Sequence, residues 1–514
     1  MKLTLTLFTV FLGLPLFSQV EDSLFLPNSP MNASYKELIV ENPLQAQKIK
    51  FQDYTQTGIF ATFEEGSLKR VQTPEKSSQY EFSAEGLFSP SKNLRLYGEF
   101  SYALKHEQQV GFTLNNQRTT DNELLSPHYL YVEKKADWEN QNYSILGSIA
   151  YQKNKFSLGG SLFYKGANAF RKSDPRPEIQ TADYGAELFS AVNLGPHQVS
   201  IKAGLGRGTD NNEVMAVNEY INSPSYPESY VRFSNGYGRV INFASYTDFL
   251  FEDLNRMLGA GYQWANEKHK TQINYTYRYS MESLYQKDAN SQVYVDPDLV
   301  LMKYRTRSHE LNGSYLTQLG KHNLLSTLKF KTLQGDNYNT QEQGQNFRLN
   351  SENISFHIQD QLENKKGLLW GVRLENDVHL LRARDLLGVT DKITDSWTVS
   401  LNGFHDLFRH EKAKLSLSAG LSHYFPLQIE LSFVPVSSDP KFFDQVIQPD
   451  YHYDSLSKTG FNLGLDLLGK LKNQSKIRIF AKFASTFASS DGDFPITGTL
   501  TPRVLFTTGL SVYY

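Results

Sequence analysis

The chain has 514 residues, of which 39% are hydrophobic and 13% aromatic, and its formal net charge is −2. Its mean hydropathy of −0.46 is too low for a bundle of membrane helices, whereas its abundant Tyr and Phe separate it from disordered chains. The near-neutral charge gives no bias toward nucleic acid, and the absence of cysteine excludes disulfides, thiolate metal sites and a lipidated cysteine anchor.

The first residues are typical of a secretory signal peptide. Lys2 precedes a largely apolar run from Leu3 to Phe17, which a glycine and a proline interrupt and Ser18-Gln19 follows. This run is shorter than the ~20 apolar residues of a spanning helix. We therefore predict a signal peptide at residues 1–19, and any membrane insertion has to be by strands.

Residues 20–56 form the next predicted segment, on the periplasmic side. It contains Asn42-Pro43 and a short helix-compatible stretch around Leu44–Ile49. At this length the segment is too short for a separate plug domain. The sequence leaves two positions open for it, inside the lumen of a barrel or along the periplasmic rim.

The remainder of the chain alternates apolar and polar residues in paired segments joined by short polar turns. Alternation at a period of two predicts strands with one apolar face, and turns rich in Gly, Pro, Asn and charged residues predict tight hairpins. The predicted turns are Pro90–Asn93, Lys153–Lys155, Leu194–His197, Asn266–His269, Leu319–His322, Glu363–Lys366, Arg409–Ala413 and Lys472–Ser475. With one strand before them (about Gly58–Glu65) and one after them (Pro502–Tyr514), these hairpins give about eighteen strands, in a range of about 14–18.

The connections between hairpins are long and fall on the opposite rim. Examples are His106–Gln141, Asp210–Asn255 and Pro426–Lys458. Short periplasmic turns and long outer loops are the asymmetry of outer-membrane barrels. The fold predicted for residues 57–514 is an all-β, antiparallel, up-and-down transmembrane β-barrel in the outer membrane of a Gram-negative bacterium.

The strand faces follow from the same alternation. In the last strand, apolar positions from Val504 to Tyr514 alternate with Thr507, Gly509 and Ser511, so one face is predicted to meet lipid and the strand to be recognised by the barrel-assembly machinery. A charge on the lipid face near mid-membrane costs ~2–4 kcal/mol, so charged strand residues are predicted to face the lumen. The predicted lumen-lining residues are Arg95, Glu99, Lys202, Arg278, Lys329, Lys331, Arg373, Glu375, Arg478 and Lys482. The alternative is that these charges only pair across a filled interior and stabilise it.

The best metal candidate is Asp450, His452 and Asp454 in an outer loop. In a strand-like segment, these alternate residues would present two carboxylates and an imidazole on one face, a ligand set suited to a divalent cation. The alternative is a solvated loop tip with stacked tyrosines. Acidic clusters such as Asp248, Glu252 and Asp253, or the pair Asp296 and Asp298, are weaker candidates, and no cofactor is predicted.

The other candidate motifs are weaker. Gly204–Gly208 resembles a phosphate loop in composition, but it ends a predicted strand and no Lys-Ser/Thr or helix follows. We expect these glycines to relieve crowding on the lumen face. Adjacent Ser422-His423 point to opposite faces of a strand, and His405 has Asp406 beside it rather than opposite, so no base lies beside a nucleophile and no enzymatic activity is predicted.

One outer loop is rich in aromatic residues, which can stack on sugars or dock a partner, although lids and girdles use the same residues. They are Tyr220, Tyr226, Tyr230, Phe233 and Tyr237.

Several segments carry a family resemblance. They are Glu41-Asn42-Pro43 through Phe51, the strand pair Leu94–Ser101 and Ser144–Tyr151, and Lys155–Gly160 followed by Ala182-Asp183-Tyr184. The chain resembles a family of uncharacterised outer-membrane β-barrel proteins from Bacteroidetes-type bacteria. Proteins of that family tend to be encoded beside TonB-dependent receptors and surface lipoproteins, so the resemblance implies such a partner. It implies no catalytic or binding residues.

Two main hypotheses for function follow. The first is a passive or gated channel for small polar solutes, because about eighteen strands can leave an aqueous lumen. The second is a non-conducting accessory subunit that binds a TonB-dependent receptor or a surface lipoprotein. An outer-membrane enzyme is third. If Phe170–Pro177 or the loop at Asp210–Asn255 fills the lumen, free diffusion is disfavoured.

Overall fold

A computed structural model describes residues 30–47, 52–115, 126–217, 226–236, 240–242, 248–286, 300–340, 342–364, 369–434, 440–471, 475–488 and 500–514. The predicted signal peptide lies outside these residues, as do parts of the predicted turns at Glu363–Lys366 and Lys472–Ser475. No described helix is long and apolar enough to cross a membrane.

Antiparallel strands make up most of the described chain. They are β1 (Tyr54–Glu65), β2 (Lys76–Ser91), β3 (Leu94–Val110), β4 (His128–Tyr131), β5 (Ala136–Lys153), β6 (Phe156–Arg171), β7 (Arg176–Leu194), β8 (His197–Met215), β9 (Arg232–Asn235), β10 (Val240–Asn242), β11 (Phe249–Ala265), β12 (His269–Gln286), β13 (Val300–Leu319), β14 (His322–Asn339), β15 (Phe347–Glu363), β16 (Leu369–Asp385), β17 (Thr390–His410), β18 (Ala413–Phe433), β19 (Lys458–Lys470), β20 (Lys476–Ala488) and β21 (Arg503–Tyr513). A separate 3-stranded sheet contains β4, β9 and β10, and the other strands form one 18-stranded sheet.

This sheet closes on itself. Each strand pairs with its neighbours, and β1 pairs with β21 from Gln56 opposite Tyr513 to Glu65 opposite Val504. Closure satisfies the backbone hydrogen bonds of both edge strands, which a lipid environment demands. The predicted all-β barrel of about eighteen strands is thus confirmed.

Short turns occur where the sequence predicts them. Lys153 pairs with Phe156, Leu194 with His197 and Leu319 with His322 across three such hairpins. Two-residue hairpins require positive φ, which Asn and Gly adopt most readily. At these turns φ is 55° at Asn154 and 64° at Gly195 and Gly320.

On the loop side of the barrel, the strands extend further than the sequence predicted. The predicted loop at Asp210–Asn255 is shorter, because β8 continues to Met215 and β11 begins at Phe249. The prediction that Gly204–Gly208 ends a strand is likewise wrong, since the segment lies within β8. Beyond the membrane a strand can continue by hydrogen bonding without alternating apolar residues, so its pattern is no longer visible in the sequence. A Cβ at Gly204 would lie 2.9 Å from Met257 Cε, which agrees with relief of crowding.

The outer wall is apolar and banded. Leu162, Leu188 and Leu205 are 67–69% exposed on it. Exposed aromatic residues flank this aliphatic band on both sides. Near the short turns they include Phe88, Tyr151, Phe156, Tyr262, Tyr315, Trp370 and Tyr514, and toward the loops Tyr80, Tyr143, Tyr164, Tyr184, Trp397 and Phe425. An aliphatic band between two aromatic girdles is the exterior of an outer-membrane barrel.

Few helices accompany the strands within the described ranges. The plug helix, α1 (Pro30–Glu41), is followed by a 3₁₀ turn at Pro43–Gln47. A second 3₁₀ turn spans Pro227–Ser229. The loop helix (residues 440–455) consists of Pro440–Phe442, a π-helical turn at Phe443–Ile447 and an α-helix at Gln448–Ser455. Of the helix-compatible stretch that the sequence suggested around Leu44–Ile49, residues 44–47 lie in the first 3₁₀ turn and residues 48–49 lie outside the described ranges. The longer helix α1 precedes this stretch.

Candidate functional site

The plug helix lies inside the lumen, at the end where the short turns are. Its apolar face, with Tyr35 and Ile39, packs against inward residues of β1 to β3, including Tyr97. Its polar face, with Glu37 and Glu41, faces inward residues of β12 to β16. Residues three or four apart share one side of a helix, so α1 contacts two separate regions of the wall at once. Of the two positions that the sequence left open, the helix takes the lumen.

Polar contacts fix the plug helix on both sides. The ammonium group of Lys36 forms an ion pair with the carboxylate of Glu85 on β2. Tyr54 Oη also donates a hydrogen bond of 3.2 Å to Glu85 Oε1. On the opposite side, Asn312 Nδ2 donates to Glu41 Oε1 at 2.9 Å. These contacts hold the helix at a defined height in the lumen.

The 3₁₀ turn after the plug helix packs against the wall through Leu44. This side chain is 1% exposed and contacts Ala150 and Phe189. A Cβ at Gly159 would lie 2.9 Å from Leu44 Cδ2 and 3.0 Å from the carbonyl oxygen of Ile149. Glycine at position 159 therefore makes the room that Leu44 occupies.

The opposite end of the lumen holds the cap sheet, which is β4, β9 and β10. β9 pairs with β4 on one side and with β10 on the other. Phe233 of β9 is fully buried in a cluster with inward residues near the loop-side ends of the barrel strands. The buried members are Val110, Leu114, Leu130, Val132, Trp138, Ala169, Ile179, Val214, Phe233, Phe249, Phe251, Leu284 and Met302. β9, which belongs to the connection between β8 and β11, thus lies inside the loop-side end of the lumen.

The loop helix lies at the same end of the barrel as the cap sheet, and buried ion pairs attach it to the barrel. Lys392 Nζ of β17 lies 2.7 Å from Asp454 Oδ2, and both side chains are at most 3% exposed. Arg70 Nη2 lies 2.6 Å from Asp454 Oδ1. The backbone N–H of Val71 donates to Asp450 Oδ1 at 2.9 Å. The helix is tied to β17 and to the loop between β1 and β2.

The two carboxyl groups of the loop helix titrate differently. Burial acts to raise the pKa of Asp454, but the charges of Lys392 and Arg70 outweigh it and lower that pKa. Burial raises the pKa of Asp450, because the same two cations compensate it less. Asp454 is therefore the carboxylate on which the charge network centres.

The predicted metal site does not form. Asp450, His452 and Asp454 lie on an α-helix rather than a strand, so His452 points to a different side from the carboxylates. Pro449 in the first turn suits a helix start. Both carboxylates are engaged by Arg70, Lys392 and Val71. Within the described ranges, no three His, Cys, Asp or Glu residues are grouped so as to hold a metal ion.

Several predicted lumen residues lie near the plug helix. Lys329 and Arg373 line a cavity beside it. Arg373 Nη2 is also 2.6 Å from Glu375 Oε1. On β3, Arg95 Nη1 lies 2.9 Å from Asp53 Oδ1 and Glu99 accepts a 2.8 Å hydrogen bond from Tyr97.

The other predicted lumen residues are spread along the wall. Arg478 Nε donates to Asp466 Oδ2 at 2.7 Å, and Lys482 Nζ lies 5.6 Å from the centre of the Phe480 ring. The side chain of Lys202 lies over Gly259, whereas Arg278 is exposed and Lys331 half-buried. Many of these charges have nearby partners, which fits the stabilising alternative, and their part in a solute path stays a prediction.

The aromatic outer loop is divided between the cap and the surface. Phe233 belongs to the buried core of the cap, and Tyr226 is 44% exposed. The guanidinium of Arg232 lies 5.8 Å from the centre of the Tyr230 ring. Tyr220 and Tyr237 lie outside the described residues. Sequence reasoning also missed Lys36 and Glu85, since nothing in their local pattern indicates a contact between them.

A closed 18-stranded wall with an apolar banded exterior, an internal helix and an inward-folded cap defines an outer-membrane type of β-barrel. The chain belongs to DUF6850, a family of unknown function whose model matches residues 43–514. This agrees with the predicted resemblance to an uncharacterised family, while a Bacteroidetes-type origin and the neighbouring genes stay predictions.

The solved structures that match the chain share only low sequence identity with it. The ferric citrate transporter FecA in its unliganded form is 8% identical, with a TM-score of 0.42 over 90% of this chain and 78% of the other. The ferric yersiniabactin uptake receptor FyuA from Yersinia pestis is 8% identical, with a TM-score of 0.40 over 90% and 79%. The outer membrane transporter YddB from Escherichia coli is 8% identical, with a TM-score of 0.39 over 91% and 81%. No curated protein matches the chain.

Proposed function

We propose that this protein is a transport-associated barrel of the Gram-negative outer membrane that is closed at rest and gated, rather than a passive pore. The observation that carries the proposal is the plug helix, which lies inside the lumen and contacts both β1 to β3 and β12 to β16. A freely conducting porin of this strand number keeps an aqueous channel. Here a small polar solute would pass only after the helix and the cap move.

The contacts at the two ends support two closures in series. The inner one depends on the ion pair of Lys36 with Glu85 and on packing of one helix face. The outer one depends on the buried cluster around Phe233 and on the ion pair of Asp454 with Lys392. Because they lie at opposite ends of one lumen, releasing either one alone leaves the path blocked.

The same double closure favours the accessory hypothesis as a second candidate. A barrel that never opens can still present its outer loops to a TonB-dependent receptor or a surface lipoprotein. The exposed Tyr226 is a suitable contact residue, because tyrosine is enriched at protein interfaces. This candidate requires no movement of the plug helix.

Conductance of the purified barrel in a planar lipid bilayer separates these functions. The wild type, Glu85→Lys alone and Phe233→Asp alone are expected to be silent. Glu85→Lys places a second ammonium group opposite Lys36, and Phe233→Asp puts a charge into the buried cap. The combined Glu85→Lys and Phe233→Asp variant is expected to conduct ions.

The matched control restores the inner ion pair in the reversed sense. Lys36→Glu added to the combined variant is expected to bring silence back, which shows that the charge contact and not misfolding opens the inner end. Steady conductance of the wild type would contradict gating and support an open pore. Silence of the combined variant would contradict a transport role, and co-purification of a large receptor in mild detergent would then support the accessory role.

A further inference from the structure

A polar cavity of about 180 Å³ lies between the plug helix and the wall formed by β12 to β16. The helix contributes Glu37, Leu38 and Glu41 to its lining, and the wall contributes mostly amide, hydroxyl and charged side chains. One water needs about 10–15 Å³ of such space, so the cavity has room for a molecule much larger than water. Neither the predicted lumen residues nor the two closures account for its chemistry.

Three amide side chains in the lining have atoms without a hydrogen-bond partner among the residues that the structure describes. Gln359 is 3% exposed, and both its Nε2 and its Oε1 are unpartnered. Gln272 is 5% exposed and lacks a partner at Nε2, and Asn312 lacks one at Oδ1. A buried polar group without a hydrogen-bond partner destabilises the fold, because it has lost its hydrogen bonds to water. These atoms have almost no accessible surface in this arrangement, so they indicate a polar occupant that the amide groups reach by rotating toward the cavity.

The unpartnered atoms are balanced between donors and acceptors. The amide nitrogens of Gln272 and Gln359 can only donate, whereas the amide oxygens of Gln359 and Asn312 can only accept. A hydroxyl group does both. An occupant with several hydroxyl groups therefore satisfies all of these atoms, which a purely anionic or purely cationic molecule does not.

The charges around the cavity also favour a neutral occupant. Glu37 and Glu41 line it from the helix, and Lys329 and Arg373 line it from the wall. The two carboxylates balance the two cations, and the imidazole of His357 adds a further polar group, so the lining has no marked excess of either sign. Leu38 adds an apolar patch that suits the C–H groups of a sugar or polyol.

We propose that this cavity binds a neutral polyhydroxylated molecule of monosaccharide size, with Gln359 as the central contact and Gln272 and Asn312 beside it. The inference deepens the proposed function by naming a ligand class, and it rests on that function only for the route by which the ligand reaches the cavity. Binding itself does not require the barrel to conduct.

Isothermal titration calorimetry on the full barrel in detergent tests the site, with glucose, galactose, mannose, xylose and sorbitol as probes and sodium sulfate and glycine as charged comparisons. At least one neutral probe is expected to bind, and the charged ones are not. Gln359→Leu is expected to weaken that binding by about tenfold or more, because it removes both the donor and the acceptor of the central amide. Thr327→Trp is expected to abolish binding by filling the space that Thr327 lines.

Gln263→Leu is the matched control. Gln263 is likewise an inward glutamine, 5% exposed, but it does not line the cavity, so its replacement is expected to leave binding unchanged. Absence of binding by all five neutral probes would overturn the proposal and leave water as the occupant. Equal loss of binding in Gln263→Leu and Gln359→Leu would also overturn it. Binding in a barrel that stays silent in bilayers would contradict transport but not this site.

Discussion

Asp454 joins the loop helix to the barrel through charges that are almost fully removed from solvent. Its carboxylate contacts both Lys392 and Arg70, and its surroundings leave 1% of the side chain exposed. Removing one partner of a buried ion pair leaves an uncompensated charge, whereas replacing both partners by apolar residues is often neutral. The contribution of this ion-pair network to stability is therefore measured by comparing single substitutions with double substitutions.

The first prediction concerns this ion pair. Lys392→Met is expected to destabilise the loop helix by about 3 kcal/mol, the lower end of the range for a broken buried ion pair, because Arg70 still compensates the charge of Asp454. Hydrogen exchange of backbone amides at Gln448–Ser455 measures the effect. Lys392→Met with Asp454→Leu is expected to recover part of the lost protection, because no buried carboxylate then remains and Arg70, 19% exposed, keeps its contact with solvent. Equal loss in both variants would show that packing, and not charge, holds the helix.

The second prediction is a pH dependence. The pKa of Asp454 is lowered in the folded protein, so its contribution to stability is present above the unfolded pKa of about 3.9 and is lost as the pH falls through the folded value. The pKa of Asp450 is raised, so protonation of Asp450 stabilises the fold as the pH falls. Asp454→Asn is expected to remove the acid weakening of the loop helix, and Asp450→Asn to steepen it. Hydrogen exchange of the loop-helix amides, measured against pH and corrected for the intrinsic pH dependence of exchange, checks this prediction. The same pH dependence in both variants and in the wild type would contradict it.

For single residues, the sequence showed which side chains are polar but not what they contact. The sequence singled out Asp450, His452 and Asp454 as potential metal ligands on a strand-like segment, but the helix beginning near Pro449 separates the imidazole from the carboxylates. Arg70 and Lys392 reach Asp454 from distant parts of the chain. Such contacts depend on the assembled barrel, so no local spacing reveals them.

Among the elements, the plug helix is the one whose position the sequence left undecided. It is a short helix with no basic residue in its last turn and no acidic residue in its first, so local sequence gives it little independent stability. Contacts with inward residues of β1 to β3 and of β12 to β16 stabilise it instead. The strands were predictable because lipid and lumen impose alternation on each of them, whereas no such constraint marks a helix enclosed by them.

The third prediction tests how firmly the plug helix is held. The chain has no cysteine, so Ile39→Cys introduces a unique thiol at a side chain that is 2% exposed. A water-soluble maleimide is expected to label it slowly. Adding Gly159→Ala is expected to speed labelling, because the new methyl group crowds Leu44 in the turn that anchors the helix.

Gly147→Ala provides the matched control for that experiment. A Cβ at Gly147 has no atom within 4 Å, so the same substitution there is expected to leave the labelling rate unchanged. Rapid labelling of Ile39→Cys without any second substitution would show that the helix leaves the lumen spontaneously. If both alanine substitutions speed up labelling equally, packing of Leu44 is not what holds the plug helix in place.

The barrel wall is taller than the apolar band that faces lipid. β17 and β18 each have 21 residues, about twice the 9–11 residues that a tilted strand needs to span a bilayer. The surplus extends on the loop side and supports the cap. The sequence predicted the barrel and its hairpins well, but it underestimated the height of the wall, because the pattern imposed by lipid ends at the outer girdle.

The fourth prediction locates that boundary. Leu188 lies within the aliphatic band and is 69% exposed, so Leu188→Arg is expected to cost about 2–4 kcal/mol of stability in lipid vesicles. Leu427 is 56% exposed but lies beyond Phe425 of the outer girdle, so Leu427→Arg is expected to cost about 0–1 kcal/mol. Chemical unfolding in vesicles compares the two variants. Equal costs would place the membrane boundary above Leu427.

The pairing of β1 with β21 joins the first barrel strand to the last. Once these two strands have paired, the barrel has no lateral opening. Whatever occupies its lumen must then enter or leave through one of its two ends. Because α1 lies at the short-turn end of the lumen, the mouth on that side is the direct way for it into or out of a closed ring.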